Sequence, residues 1–331
     1  MLQGFSHISI THKNAVNLKY SLRDFWLDFR NFLKWKCMLR DLVTIARPHQ
    51  WTKNLFIFVP LFFAFNIYGI WGIDYHVAVG AFVGFSLVCS GVYCLNDMVD
   101  RDYDRLHPTK QNRPIASGRV SVVIGFVFMC ILMLGGGALL MSLSPHGVFI
   151  PVVLYVIINI LYSLWLKNIA IIDVFVIACG FVLRLWIGAI CFDISLSHWI
   201  VIVTFLLALF LALAKRRDDC LLLERSGHKM RQNIESYNRV FLDVAMSVSA
   251  SIVMVAYIFY SIDEEVIQRF GTDKLYFTSI FVLLGIFRYL QITFVYKRSS
   301  SPSKILLKDR FLQLSILAWL ICFVGLVYFK A

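Results

Sequence analysis

A chain of 331 residues in which 59% of side chains are hydrophobic and only 16% are charged, with a mean hydropathy of +0.73, is too apolar to fold as a water-soluble globule. Its net charge of +12 is split among several short connections instead of gathering on one soluble face. That pattern fits attraction to anionic headgroups and excludes nucleic acid as the expected partner.

Residues 1–40 are mixed and basic, with no cleavable signal peptide evident. Leu22, Phe25, Phe29, Phe32 and Lys36 share one helical stripe, with Trp26, Leu33 and Trp35 nearby and Arg23, Arg30, Lys34 and Arg40 elsewhere. Such a segment lies on a membrane surface or packs against a neighbouring subunit of a homo-oligomer, and the sequence favours neither. Two units are expected: this amphipathic segment, 1–40, and a transmembrane unit, 41–331.

Nine apolar runs follow, each near the length that crosses a bilayer as a helix. They cover Leu55–Ile73, Val77–Leu95, Val122–Leu143, Gly147–Leu166, Ile169–Phe192, Trp199–Ala214, Val240–Ile262, Leu275–Tyr296 and Phe311–Phe329. Long runs without period-2 alternation exclude a barrel. The expected fold is therefore all-α, a polytopic bundle of nine transmembrane helices. Lys and Arg concentrate before Lys53 and in the 96–119, 215–239 and 297–310 connections. By the positive-inside rule these face the cytoplasm, with the amino terminus inside and the carboxyl terminus on the outer side of the cell's inner membrane. The eight cysteines form no CxxC pair and read as small buried hydrophobes.

The stretch Asn96-Asp97-Met98-Val99-Asp100-Arg101-Asp102-Tyr103-Asp104, followed by Lys110, Arg113 and Pro114, sets carboxylates where an apolar run meets water. Spacings of i, i+3 and i+7 bring Asp97, Asp100 and Asp104 to one side of a helix. Converging carboxylates need a counter-cation. Mg²⁺ fits best, because it takes oxygen ligands and is usually held by one or two carboxylates together with substrate phosphates. The blander reading, a helix end with solvated acids, suits a segment between long apolar runs poorly.

Other polar residues gather at the same face. Arg47-Pro48-His49-Gln50-Trp51-Thr52-Lys53-Asn54 leads into the first run and puts Lys53 and Asn54 at the interface. Tyr162 and Lys167 close the fourth run, Asp173 opens the fifth, and Arg184 lies three turns deeper, where an arginine is costly unless it faces a polar cavity or an anion. Lys215 and Arg216, first after the sixth run, divide evenly between substrate contact and anchor. Arg217 and Arg225, like Lys308-Asp309-Arg310, read as anchors that snorkel to the surface. His107 reads as a turn residue beside Pro108, and Gly135, Gly136 and Gly137 as permitting close helix packing.

NDMVDRDYDRLHPTKQNRPIASG resembles the first aspartate-rich motif of the UbiA-type intramembrane prenyltransferase superfamily, nine-helix proteins that use Mg²⁺ on a diphosphate. Together with RPHQWTKN, YSLWLK, GFVLR, SLSHW, AKRRDD, the SYN at 236–238 and LLKDRFLQL, in that order over residues 45–325, it is similar to the decaprenyl-phosphate phosphoribosyltransferase branch. Conventional members resemble one another in a second motif with a DxxxD core after the sixth span. Lys215-Arg216-Arg217-Asp218-Asp219 has none, which argues against a second magnesium site.

The resemblance implies transfer of 5-phosphoribose from phosphoribosyl diphosphate to a polyprenyl phosphate, decaprenyl phosphate or similar, with release of diphosphate. It implies Mg²⁺ on Asp97 and Asp100, supported by Asn96 and Asp104, in a cytoplasm-facing cavity, with Lys110 and Arg113 on the diphosphate. Lys53, Asn54, Tyr162, Lys167 and Arg184 then share the ribose 5-phosphate and the lipid phosphate, while Asp173 orders Lys167 or joins the metal shell. Many relatives of this branch serve cell-envelope polymers. Two rivals stand beside this reading: a transferase of prenyl groups to aromatic rings, and a lipid or solute transporter. Against transport, no inverted repeat is evident and the polar groups gather at one face.

Overall fold

Backbone groups in lipid have no water to bond to, and the chain satisfies them with helices alone. The computed structural model describes residues 36–68, 74–107, 110–144, 147–226, 232–296 and 302–328, and no strand occurs among them. Apart from Lys36, the amphipathic stripe at 22–36 lies outside the described residues. A helix over 36–46 (α1) leads into a 3-10 segment, Pro48–Phe58, which continues as α2, Val59–Tyr68. Then come α3, Tyr75–Val99; α4, Arg101–Leu106; α5, Val122–Leu143; α6, Phe149–Leu164; and α7, Ile172–Cys191. The second half holds α8, His198–Ser226; α9, Arg239–Ile262; α10, Glu264–Phe270; α11, Ser279–Phe294; α12, Pro302–Lys308; and α13, Arg310–Tyr328.

Seven of these helices, among the described residues, are long and apolar enough to cross a membrane: α3, α5, α7, α8, α9, α11 with the turn before it, and α13. The fourth expected span forms the shorter apolar helix α6, and the first is divided between the 3-10 segment and α2. Local signals set several ends. Asp74 accepts the amides of His76 and Val77 to start α3, Ser121 that of Ile124 to start α5, and Asn238 that of Phe241 to start α9. Innermost are α3 and α7, whereas α5 and α13 present Ile131, Leu134, Leu317 and Ile321 outward, as a bundle in lipid must. Of the three glycines in α5, Gly136 permits the close packing: a Cβ there would lie 2.4 Å from the Gly84 carbonyl of α3, while Gly135 and Gly137 face open space.

The 3-10 segment is eleven residues long, where runs beyond three or four are uncommon. Three residues per turn align Trp51, Asn54 and Ile57 in one row. Trp51 Nε1 donates to Ser90 Oγ (3.0 Å) and Asn54 Nδ2 to Ser86 Oγ (2.9 Å), both on α3. Ile57 rests on α7 at Gly188, where a Cβ would come within 2.0 Å of the Ile57 carbonyl oxygen. The segment is thus wedged between the two innermost helices.

Candidate active site

The continuous helix face expected for the aspartates is interrupted. α3 ends at Val99, Asp100 caps it at φ −86°, ψ 2°, and α4 starts afresh at Arg101. The break parts the carboxylates. Asp97 and Asp104, both buried, come together on Arg113, whose Nη1 donates to Asp97 Oδ1 (3.1 Å) and Asp104 Oδ2 (2.5 Å). Asp100 turns to the α6–α7 connection and pairs with Lys167. Contrary to the expected three-carboxylate convergence, no three His, Cys, Asp or Glu side chains among the described residues are grouped to hold one ion.

The pair that remains still suits a divalent cation. Asp97 also takes an ion pair from Arg47, and Lys110 stands 3.9 Å from Asp104 Oδ1. That oxygen is buried and accepts no hydrogen bond, an orphaned acceptor beside a second carboxylate. Mg²⁺ needs no more from protein when phosphates supply the rest of its shell. Asn96 accepts from Ser163 Oγ, which fixes its carbonyl oxygen at the start of the motif. Tyr162, half-buried, is the residue before Ser163 at this end of α6. His107 caps α4 as a turn residue should, accepting the Lys110 amide at Nδ1 (3.4 Å).

A second polar group lies deeper and differs in sign. Arg184 is buried in α7 with no carboxylate partner among the described residues. Its Nε donates to Asn54 Oδ1 (3.0 Å), Nη1 to the Gly180 carbonyl (2.6 Å) and Nη2 to Tyr155 Oη (3.1 Å), and it lies 5.1–5.5 Å from the ring centroids of Phe85, Tyr155 and Phe181. Lys53, one residue from Asn54 and ahead of the first span, has no ion-pair partner among the described residues. Burial first, then the cations Lys215, Arg184 and Arg47, bring its ammonium down to about 8. The neighbouring positive charges make the charged form of Lys53 the costly one until an anion arrives.

Three expectations at the α7–α8 end are corrected. The sequence divides Arg216 between substrate contact and anchor, and Asp173 between Lys167 and the metal shell. Instead the two bond each other, Nε to Oδ2 at 2.6 Å, with both side chains fully buried. Lys215 is exposed, and its charge is felt at Lys53. Arg217 is no snorkelling anchor: it is buried, paired with Asp243 of α9, and donates to the Thr293 carbonyl (2.8 Å). The physical reason is that α8 continues to Ser226, so the charges after Ala214 sit inside a packed helix and take partners there. Arg47, Ser163, Tyr155 and Tyr237 carry contacts the sequence reading did not assign. Arg47 lies two 3-10 turns ahead of Lys53 in the same basic stretch, and Ser163 and Tyr237 fall within the YSLWLK and SYN pieces, so only Tyr155 carries no local signal.

The profile of the UbiA prenyltransferase family matches residues 57–317. The chain is 31% identical over 307 residues to a decaprenyl-phosphate phosphoribosyltransferase of Mycolicibacterium smegmatis, covering 89% of this chain and 95% of that protein. It is 31% identical over 303 residues to one of Corynebacterium glutamicum, covering 88% of each. In fold it is similar to a UbiA homolog from Archaeoglobus fulgidus solved with GPP and Mg²⁺, at a TM-score of 0.66 and 19% identity, covering 86% of this chain and 99% of that one. A helical bundle with an aspartate motif at one end, matched over most of its length by that profile, belongs to the UbiA prenyltransferase family.

Proposed function

We propose that the protein transfers 5-phosphoribose from phosphoribosyl diphosphate to a polyprenyl phosphate and releases diphosphate, with Mg²⁺. The observation that carries this reading is the division of charge. Asp97 and Asp104 with Lys110 and Arg113 form a place for a metal-bound diphosphate, and Lys53, Arg184 and Lys215 form a separate cationic region. An aromatic-ring acceptor brings no phosphate to that second region. A sugar 5-phosphate and a lipid phosphate match it. The names of the Mycolicibacterium and Corynebacterium relatives point the same way.

Bound Mg²⁺ supplies Lewis-acid stabilisation to the departing diphosphate. The chain's own residues do the rest. Asp97 and Asp104 would hold the ion, and Arg113, their counter-ion in this structure, turns with Lys110 to the diphosphate oxygens, where charge accumulates as the bond to ribose C1 breaks. Lys167 fixes Asp100 and so the end of α3. Asn54 and Tyr155 orient Arg184. An oxygen of the lipid phosphate forms the new bond to C1. No general base is needed, since that oxygen is already anionic at neutral pH, and catalysis is positioning and charge stabilisation.

In this reading residues 55–68, the end of the 3-10 segment with α2, and α6 complete nine spans. The site faces the cytoplasm, where the soluble donor enters, the carboxyl terminus lies outside, and the prenyl tail lies between helices. Residues 41–331 form the transferase unit, and 1–40 a surface or subunit-packing segment. The test is incubation with phosphoribosyl diphosphate labelled in ribose, Mg²⁺ and a polyprenyl phosphate, followed by organic extraction. Label in the lipid phase is expected. Label left in water, with a prenyl diphosphate consumed instead, overturns the reading in favour of an aromatic-ring transferase.

A further inference from the structure

The turn that carries Lys167 is braced from behind. Between the 3-10 turn Leu166–Asn168 and α7, Ile171 takes φ 70°, ψ −52°. A β-branched residue avoids positive φ because its side chain crowds the backbone, and such a conformation persists only where its surroundings over-determine it. Here the surroundings come from a different part of the chain. Tyr237, just after the 3-10 turn Gln232–Ser236, accepts the Ile171 amide at Oη (2.6 Å) and donates its own proton to Asp173 Oδ1 (2.6 Å). Arg216 Nε donates to the other carboxylate oxygen, and Arg216 Nη1 to Asp219 Oδ2 (3.2 Å).

The centre of this network is buried: Asp173 and Arg216 are 0% exposed and Tyr237 5%. It is not arranged for its own satisfaction, since Arg216 Nη2 is buried without a hydrogen bond. A buried ion pair contributes little to stability by itself. What it does determine is the path of the backbone from Lys167 to Asp173, and the Lys167 ammonium is the partner of Asp100 at the aspartate motif.

We infer that Tyr237, with Arg216 acting through Asp173, is a positioning residue: it pins the strained Ile171 turn so that Lys167 is delivered to Asp100. The catalytic consequence rests on the proposed transfer, so the first arm of the test needs no turnover. Full-length wild-type protein, Tyr237→Phe and Tyr260→Phe are treated in detergent with an amine-reactive reagent, and modification of Lys167 is followed by peptide mass spectrometry. Tyr260 is a buried tyrosine outside the network whose Oη has no hydrogen bond, and it controls for loss of a phenol. Lys167 is expected to react about fivefold faster or more in Tyr237→Phe, the factor that an ordinary hydrogen-bonded partner confers, and unchanged in Tyr260→Phe. A Tyr237→Phe rate equal to wild type overturns the inference whatever the enzyme transfers. Asp173→Asn, which keeps size and weakens both bonds, takes its place if Tyr237→Phe does not fold. In the second arm, Tyr237→Phe lowers phosphoribosyl transfer about tenfold in the wild-type background and less than about twofold in Lys167→Ala, because it acts through that lysine. Equal factors in both backgrounds mean a general structural loss and overturn the inference.

Discussion

Removing the Arg113 side chain tests whether Asp97 and Asp104 form the cation site. In the metal-free protein this guanidinium is the shared counter-ion of two carboxylates that are 3% and 1% exposed. In Arg113→Ala, Asp97 keeps Arg47, but Asp104 keeps only Lys110, 3.9 Å away. A buried carboxylate stripped of its partner costs about 3–5 kcal/mol. The remaining lysine and the 28% exposure of Arg113, which admits water to the gap, reduce this to about 2 kcal/mol. For a chain of this size that is a fall of about 3 °C in Tm. Mg²⁺ at a hundredfold excess over its Kd returns about 2.7 kcal/mol to the folded state. Saturating Mg²⁺ is therefore expected to restore the variant to the metal-free wild-type Tm, and to do much less for Arg113→Ala/Asp104→Asn. Scanning fluorimetry of the intrinsic tryptophans in detergent, with KCl matching ionic strength, reads both. Equal Mg²⁺ shifts in the single and double variants would refute a two-carboxylate site.

Asp97→Asn is expected to abolish Mg²⁺-dependent transfer, whereas Asp100→Asn, which loses Lys167 but not the cation pair, raises the donor KM and keeps the Mg²⁺ requirement; the same Mg²⁺ titration of turnover for both would merge the two roles. The Lys53 ammonium lies near 8, below its unfolded value, so the anion-free protein gains stability as pH rises from about 8 towards about 10, while a bound anion, which favours the charged form, stabilises most below 8. Inorganic diphosphate should then raise Tm more at pH 7 than at pH 9.5 in wild type, and equally at both in Lys53→Gln; a wild-type shift independent of pH removes Lys53 from the anion site. Gly188→Ala places a Cβ 2.0 Å from the Ile57 carbonyl oxygen and forces the 3-10 segment off α7 at about 1–3 kcal/mol. Transfer should fall with it, because Asn54 leaves Arg184, whereas Gly285→Ala, whose Cβ would meet Leu312 at an ordinary 3.7 Å, changes neither Tm nor transfer.

Hydropathy located most of the helices, because lipid imposes one solution on the backbone, and where a capping residue stood at the boundary even the ends were legible. Val122–Leu143 forms over the expected residues behind the Ser121 cap. The misses share a cause. Hydropathy reports where apolar residues stop, not where helix stops, so α8 runs twelve residues past Ala214 on charges that find partners in α7 and α9. It carries no signal for 3-10 winding, which depends on the wedge between α3 and α7. Helical spacing brought the three aspartates to one place only by assuming an unbroken helix, and the turn at Asp100 leaves Asp97 and Asp104 together while sending Asp100 to Lys167. Arg47, Ser163 and Tyr237 meet their partners across 50, 67 and 64 residues of chain, distances over which one sequence without its fold offers no pairing rule.

The pairing that the fold does make explains why the site is built from so many arginines and lysines. Asp97, Asp100, Asp104 and Asp173 each have a cationic partner already, so no carboxylate here is left to neutralise Lys53 or Arg184. A buried cation without a counter-ion is expensive, and the fold tolerates Arg184 by surrounding it with Asn54, Tyr155, a carbonyl and three rings, groups that solvate positive charge without cancelling it. Substituting a carboxylate near either residue would stabilise the empty protein and fill the place of the anion. The unmatched charge is therefore best understood as free energy held for ligand binding. In the proposed reaction it would also set an order: an anion entering the deeper region relieves the repulsion felt by Lys53 whether or not Mg²⁺ is present, while a diphosphate reaching Arg113 would first have to compete with Asp97 and Asp104, which the cation would make possible.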